Sequence, residues 1–243
     1  MSASAQSTRN GFYSLMAFVL ALFIVVGFSR SYYLRFLYDL PPLSALLHVH
    51  GFAFTAWLVL FVTQTRLIAA HRIDLHMKLG IAGVLLAAVI VVIDVAAVFG
   101  SAATPRVHGG GFTSPQFAIV GFVSIAQFAT LIALGVALRR RANLHKRFML
   151  LAMISAIGPA TGRLIGLAGV GKYGLLIYMS VITVFVACCL VYDWRRNRVV
   201  HPVFAVGGLV LVLLWPLRYW VAGSEWWQPI GEWVAKMGTS LVS

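Results

Sequence analysis

Two histidines and two distal ionic groups are the residues of this chain best placed to do chemistry. Leu75-His76-Met77-Lys78 opens an apolar run that ends at Asp94, and Leu144-His145-Lys146-Arg147 opens one that ends at Arg163. In both runs 18 residues separate the histidine from the ionic group. On an α-helix that is about five turns, so each pair shares a face about 27 Å apart. A bilayer's hydrocarbon core is about 30 Å thick. Two spans therefore carry an imidazole at one membrane edge and a charge near the other. Imidazoles bind haem iron, zinc and copper. A carboxylate or guanidinium inside a span pairs with another group or serves a functional site.

The elements that must position these residues are transmembrane helices. Of 243 residues, 61% are hydrophobic and 10% charged, whereas a soluble domain is about 25% charged. The apolar runs predict an all-α bundle of seven membrane helices in a single domain, at about 11–30, 47–69, 78–99, 116–138, 148–168, 174–192 and 202–221. The run at 12–28 is long for a signal core, and Ser29-Arg30-Ser31-Tyr32 follows it instead of a small-x-small site, so it counts as a helix. After the last run, residues 223–243 carry Trp226, Trp227 and Trp233 and read as an interfacial tail on the outer surface.

The net charge of +13 is a topology signal, not a nucleic-acid footprint, because the basic residues sit in short loops. Arg9 and the loops after spans two, four and six hold 12 of the 19 basic residues. The positive-inside rule then places the N-terminus and these loops in the cytoplasm and the C-terminus outside. Short loops of this kind suit a bacterial cytoplasmic membrane. The three loops repeat one pattern, a basic stretch and then a histidine: His76, His145 and, most loosely, His201.

Asp94, Arg163 and His50 each lie 16 residues from a basic residue at the inner edge (Lys78, Arg147 and Arg66). At 1.5 Å per residue they share a level about 24 Å from that edge. They define an outer polar layer, with His48 at nearly the same level and His108 in the outer loop. An Asp94–Arg163 ion pair would fix helix register there. Along span two, His50, Trp57 and Gln64 recur every seven residues and form an aromatic and polar stripe. On span three, Gly80, Gly83 and Ala87 lie near the His76–Asp94 face. Small residues allow close helix approach or leave room for a flat ligand, and close packing is the expected use. Gln127 sits in mid-span four, and Gly158-Pro159 predicts a kink before Arg163. Gly109-Gly110-Gly111 lacks the flanking strand and helix of a phosphate loop and reads as a turn. Cys188 and Cys189 are adjacent in an apolar run and read as packing residues.

With His48-Val49-His50-Gly51, Leu75-His76 and Leu144-His145, the chain over about 50–165 resembles small bacterial polytopic membrane proteins of uncharacterised function. More distantly it looks like four-histidine transmembrane b-type cytochromes and respiratory oxidase assembly proteins. That resemblance implies haem and electron transfer, with a redox or other membrane-protein partner beside the lipid bilayer. Span four has no histidine, which departs from a two-haem pattern.

Three chemistries stay open. His76 and His145 would ligate one haem b from two sides if spans three and five are neighbours, and His48 or His50 with His108 would hold a second group outside. Alternatively His50, His108 and Asp94 would bind zinc or copper at the outer face. His48 and His50 are two apart on a helix and point apart, so they would not both ligate. The third reading is a transporter-like or structural membrane subunit. Walker, His-Glu-x-x-His, Cys-x-x-Cys and Gly-x-Ser-x-Gly motifs are absent. Spans six and seven also lack the lysine that a retinal Schiff base needs.

Overall fold

The computed structural model describes residues 3–242, with side chains over 11–240. Among the described residues the regular structure is helical, apart from an isolated antiparallel bridge between Val107 and Thr113. The helices are α1 (Ala3–Phe28), α2 (Ala45–Ala69), α3 (Ile73–Ala103), α4 (Ser114–Ala137), α5 (Ala142–Ser155), α6 (Gly158–Leu167), α7 (Gly174–Asn197), α8 (Pro202–Ala222) and α9 (Gln228–Val242). With α5 and α6 counted as one broken span, seven helical stretches are long and apolar enough to cross a membrane. The chain is a multi-pass integral membrane protein, as its composition requires.

The break between α5 and α6 has a local cause. Pro159 has no N–H to give to the Ser155 carbonyl, and its ring crowds that carbonyl, so the α5 ladder stops and α6 restarts with proline in its first turn. The upper segment, α6, then packs on α1 and α7. The lower segment, α5, is the central post, touching α1, α4, α7 and α8. Leu150, Leu151, Ala152, Met153 and Ile154 are all fully buried, so no side of this stretch of the helix faces lipid.

The helices begin earlier than the apolar runs do: α3 at Ile73, not 78, and α5 at Ala142, not 148. Basic residues mark where the membrane ends, but a helix continues into the headgroup region. There Asp74 suits the first turn of α3, next to the helix N-terminus. At about 46 Å for its 31 residues, α3 outruns the bilayer. Its last turns and the first turn of α4 form the bed for α9. A Cβ on Gly231 would sit 2.5 Å from the Pro115 carbonyl oxygen, and one on Gly238 would clash with the Phe99 carbonyl oxygen. Trp227 is buried there and donates to the Gln116 carbonyl at 2.9 Å. The tail is therefore a docked helix.

At the end bearing the basic loops, an ion pair ties three helices. Arg147 of α5 grips Asp193 of α7 through both carboxylate oxygens, at 3.0 and 2.6 Å. The two side chains are 3% and 0% exposed. Asp193 also accepts from the His201 main chain at 3.2 Å, and His201 Nδ1 accepts from Val203 N at 3.2 Å as the cap of α8. A third donor of Arg147 goes to Asn143, through its carbonyl at 2.8 Å and its side chain.

Candidate functional site: a two-histidine cavity

The first turns of α3 and α5 are built alike. His76 N bonds to the Arg72 carbonyl at 3.1 Å, and His145 N to the Arg141 carbonyl at 3.0 Å. Each tight basic loop thus delivers a histidine at the same point of an emerging helix. The two imidazoles meet: their ring centroids lie 6.2 Å apart with planes at 80°. His145 Nδ1 is bonded to the Gly135 carbonyl on α4 at 2.8 Å, which leaves Nε2 for a ligand. His76 Nδ1 is enclosed and unpartnered.

Both rings line a cavity of about 1480 Å³ framed by α1 to α5. It reaches inward along the stripe of α2, past Gln64 and Phe61 to Trp57. Trp57 is fixed by its indole N–H on Met153 Sδ at 3.2 Å and by an edge contact with Phe128. Gly80 opens the wall: a Cβ there would meet nothing within 4 Å, and one on Gly83 would make only an ordinary 3.4 Å contact with Leu60. Close helix packing holds at Gly83, which is buried against Leu60 of α2, and at the buried Ala87, while Gly80 departs from it and faces empty space. Arg139, Arg140 and Lys146 stand at the loop end of the cavity, with the Lys146 ammonium 5.0 Å over the Tyr13 ring. Four polar atoms of lining residues are buried without a partner: both ends of the Gln64 amide, His76 Nδ1 and the Tyr13 hydroxyl. Buried polar groups in native proteins are nearly all satisfied, and these four atoms belong to residues that line one cavity.

The outer polar layer forms only in part. His50 Nδ1 lies 2.7 Å from Asp94 Oδ1, which bears out the shared level of α2 and α3. The approach is off the hydrogen-bond direction, since that oxygen has no aligned donor. The expected Asp94–Arg163 pair does not form. Arg163 donates to Ser31 Oγ and the Pro159 carbonyl, both at 3.0 Å, and lies 3.9 Å over the Phe28 ring. The physical reason is the Pro159 break, which seats α6 on α1 and α7. The metal set of His50, His108 and Asp94 is also corrected. Among the described residues no three His, Cys, Asp or Glu side chains converge. His108 instead stacks on Phe117 with centroids 4.4 Å apart and bonds Ser114 Oγ at 3.2 Å. Burial, and then Arg106, hold the His108 pKa below its ordinary value. His48 stands on α2 with His50, its ring 6.3 Å from that of Tyr32.

Two intramembrane groups escaped the sequence reading. Asp193 closes an apolar run beside Arg195 and Arg196, where an acid needs a partner. Arg218, inside the last span, is 2% exposed, with Ser124 Oγ at 3.2 Å and the Trp215 ring at 4.6 Å as its contacts. An arginine inside an apolar run was the available signal for it.

No family model, curated protein or solved structure matches this chain. The fold and the site together define a seven-span integral membrane protein with a large apolar cavity and two facing imidazoles.

Proposed function

We propose that the cavity binds haem b, that His76 and His145 would hold it, and that the protein takes part in electron transfer. The pairing of the two imidazoles carries this reading. Two imidazoles bonded to one iron from opposite sides have centroids about 6 Å apart, two metal–nitrogen bonds of about 2 Å plus the half-rings. His76 and His145 stand at 6.2 Å. A pair of imidazoles is a poor zinc site, which takes four ligands or three and a water. It suits an iron whose other positions a porphyrin fills. Gly80 leaves space for a flat ring, Trp57 and Phe61 supply apolar wall, and Arg139 and Arg140 offer guanidinium groups at the loop end. The Gly135 carbonyl holds His145 in one tautomer and orientation. A bound haem would supply one-electron redox chemistry, and the weak resemblance to b-type cytochromes points the same way. By the charge of its loops, we place the cavity end on the cytoplasmic side of a bacterial inner membrane.

The test is a titration of the detergent-purified, haem-free protein with haemin. One haem per chain should bind with a low-spin Soret band, and His145→Ala and His76→Ala should each lose that spectrum. Binding that survives both substitutions unchanged would remove the reading.

A further inference from the structure

The cavity is not closed on the lipid side. Met77, Ile81 and Leu85 of α3 line it and are still 64%, 68% and 64% exposed. They lie on one helical face and mark an opening that runs up to about 18 Å along α3 from its first residue. At about 1480 Å³ the space also exceeds the about 300–1,000 Å³ of ordinary small-molecule pockets. It has room for an apolar molecule besides a cofactor.

We propose that this opening admits a lipid-soluble quinone or quinol from the bilayer, whose ring is hydrogen-bonded by Gln64. This shares a cavity with the haem reading but does not require iron at His76 and His145. The choice of ligand rests on Gln64. Neither its amide nitrogen nor its oxygen has a partner. A quinone carbonyl accepts from the amide N–H, and a quinol hydroxyl donates to the amide oxygen, so one side chain serves both states. An anionic lipid head would use the nitrogen and press its charge against the oxygen. The unpartnered Tyr13 hydroxyl and His76 Nδ1 give the ring further groups to meet in the same cavity. The apolar lining of α3 suits an isoprenoid tail.

The experiment uses the full-length protein in quinone-free nanodiscs, titrated with decylubiquinone and followed by tryptophan fluorescence, since Trp57 stands in the cavity wall. Saturable quenching is expected. In Gln64→Leu the affinity should fall about tenfold or more, as expected for a lost buried hydrogen bond. Gln64→Leu removes unpartnered polar atoms and should fold at least as well as the parent. An excess of oleate should leave quinone binding unchanged. Three results would overturn the proposal: no saturable binding, equal binding by Gln64→Leu, or displacement of the quinone by oleate. That last pattern would assign the opening to an anionic lipid. The Soret band of a haem-loaded aliquot reports the haem reading separately. A protein that binds quinone but not haem keeps this inference and loses that one.

Discussion

Histidine is used in opposite ways at the two ends of this bundle. At the basic-loop end His76 faces His145, two like groups at 6.2 Å across an open cavity. At the far end His50 faces Asp94 at 2.7 Å, a base beside an acid, packed between α2 and α3. A histidine beside a carboxylate already has a polar neighbour. Two imidazoles have nothing to offer each other when both are charged, and the pair gains most when a shared ligand joins them. The comparison therefore separates a structural contact from a binding site that the same residue type could not distinguish in sequence.

The α5 wall of the cavity, with Lys146, Met149 and Leu150, is tied to α7 from behind. Arg147 and Asp193 provide that anchor, and removing one partner of a buried ion pair costs about 3–5 kcal/mol. Asp193→Ala should give the largest effect, a steep loss of folded protein and of thermal midpoint in detergent. If Asp193→Ala is nearly neutral, the contrast between a pinned wall and an open cavity fails. Gly80→Leu should act on function alone. The new side chain projects into empty space, and replacing a helical glycine adds up to about 1 kcal/mol of helix propensity. Stability should hold or rise while cofactor uptake is lost. An equal haem affinity in Gly80→Leu would show that the ligand does not use this wall.

Asp94→Asn breaks the far-end contact. That pair is partly exposed and poorly aligned, so about 0–1 kcal/mol is at stake. Thermal midpoints should barely move, and any haem spectrum should be unchanged. The smallest effect is a pH dependence in the loop that holds His108. Burial and Arg106 depress its folded pKa from an ordinary value of about 6.5. Unfolding then takes up a proton, so this contribution is complete above about pH 6.5 and is lost as pH falls through that value towards the folded pKa. His108→Phe, which keeps an aromatic ring on Phe117, should flatten the acid side of the melting curve against pH.

The all-α membrane fold was legible because bilayer burial writes itself into twenty-residue apolar runs. The level of His50 and Asp94 was legible too, since α2 and α3 are unbroken neighbours and residue counting measures height on an unbroken helix. Counting failed for Arg163, because the Pro159 break redirects α6 and a linear count carries no azimuth across a break. It failed for His108, whose loop is set by Gly110 and Gly111 at positive φ and by stacking on Phe117, neither of which has a period. The proximity of His76 and His145 was a conditional expectation, resting on which helices are neighbours. The vacancy beside Gly80 was beyond sequence, since a glycine reads alike whether a helix or a void lies opposite.

The central claim, that His76 and His145 together hold a haem, is tested most directly by an absorption spectrum. The protein would be purified in mild detergent from haem-replete cells and recorded oxidised, then reduced with dithionite. The account predicts a Soret band and sharp reduced α and β bands that vanish in His145→Ala and persist in His50→Ala. A colourless protein, or bands that follow His50 instead of His145, would contradict it.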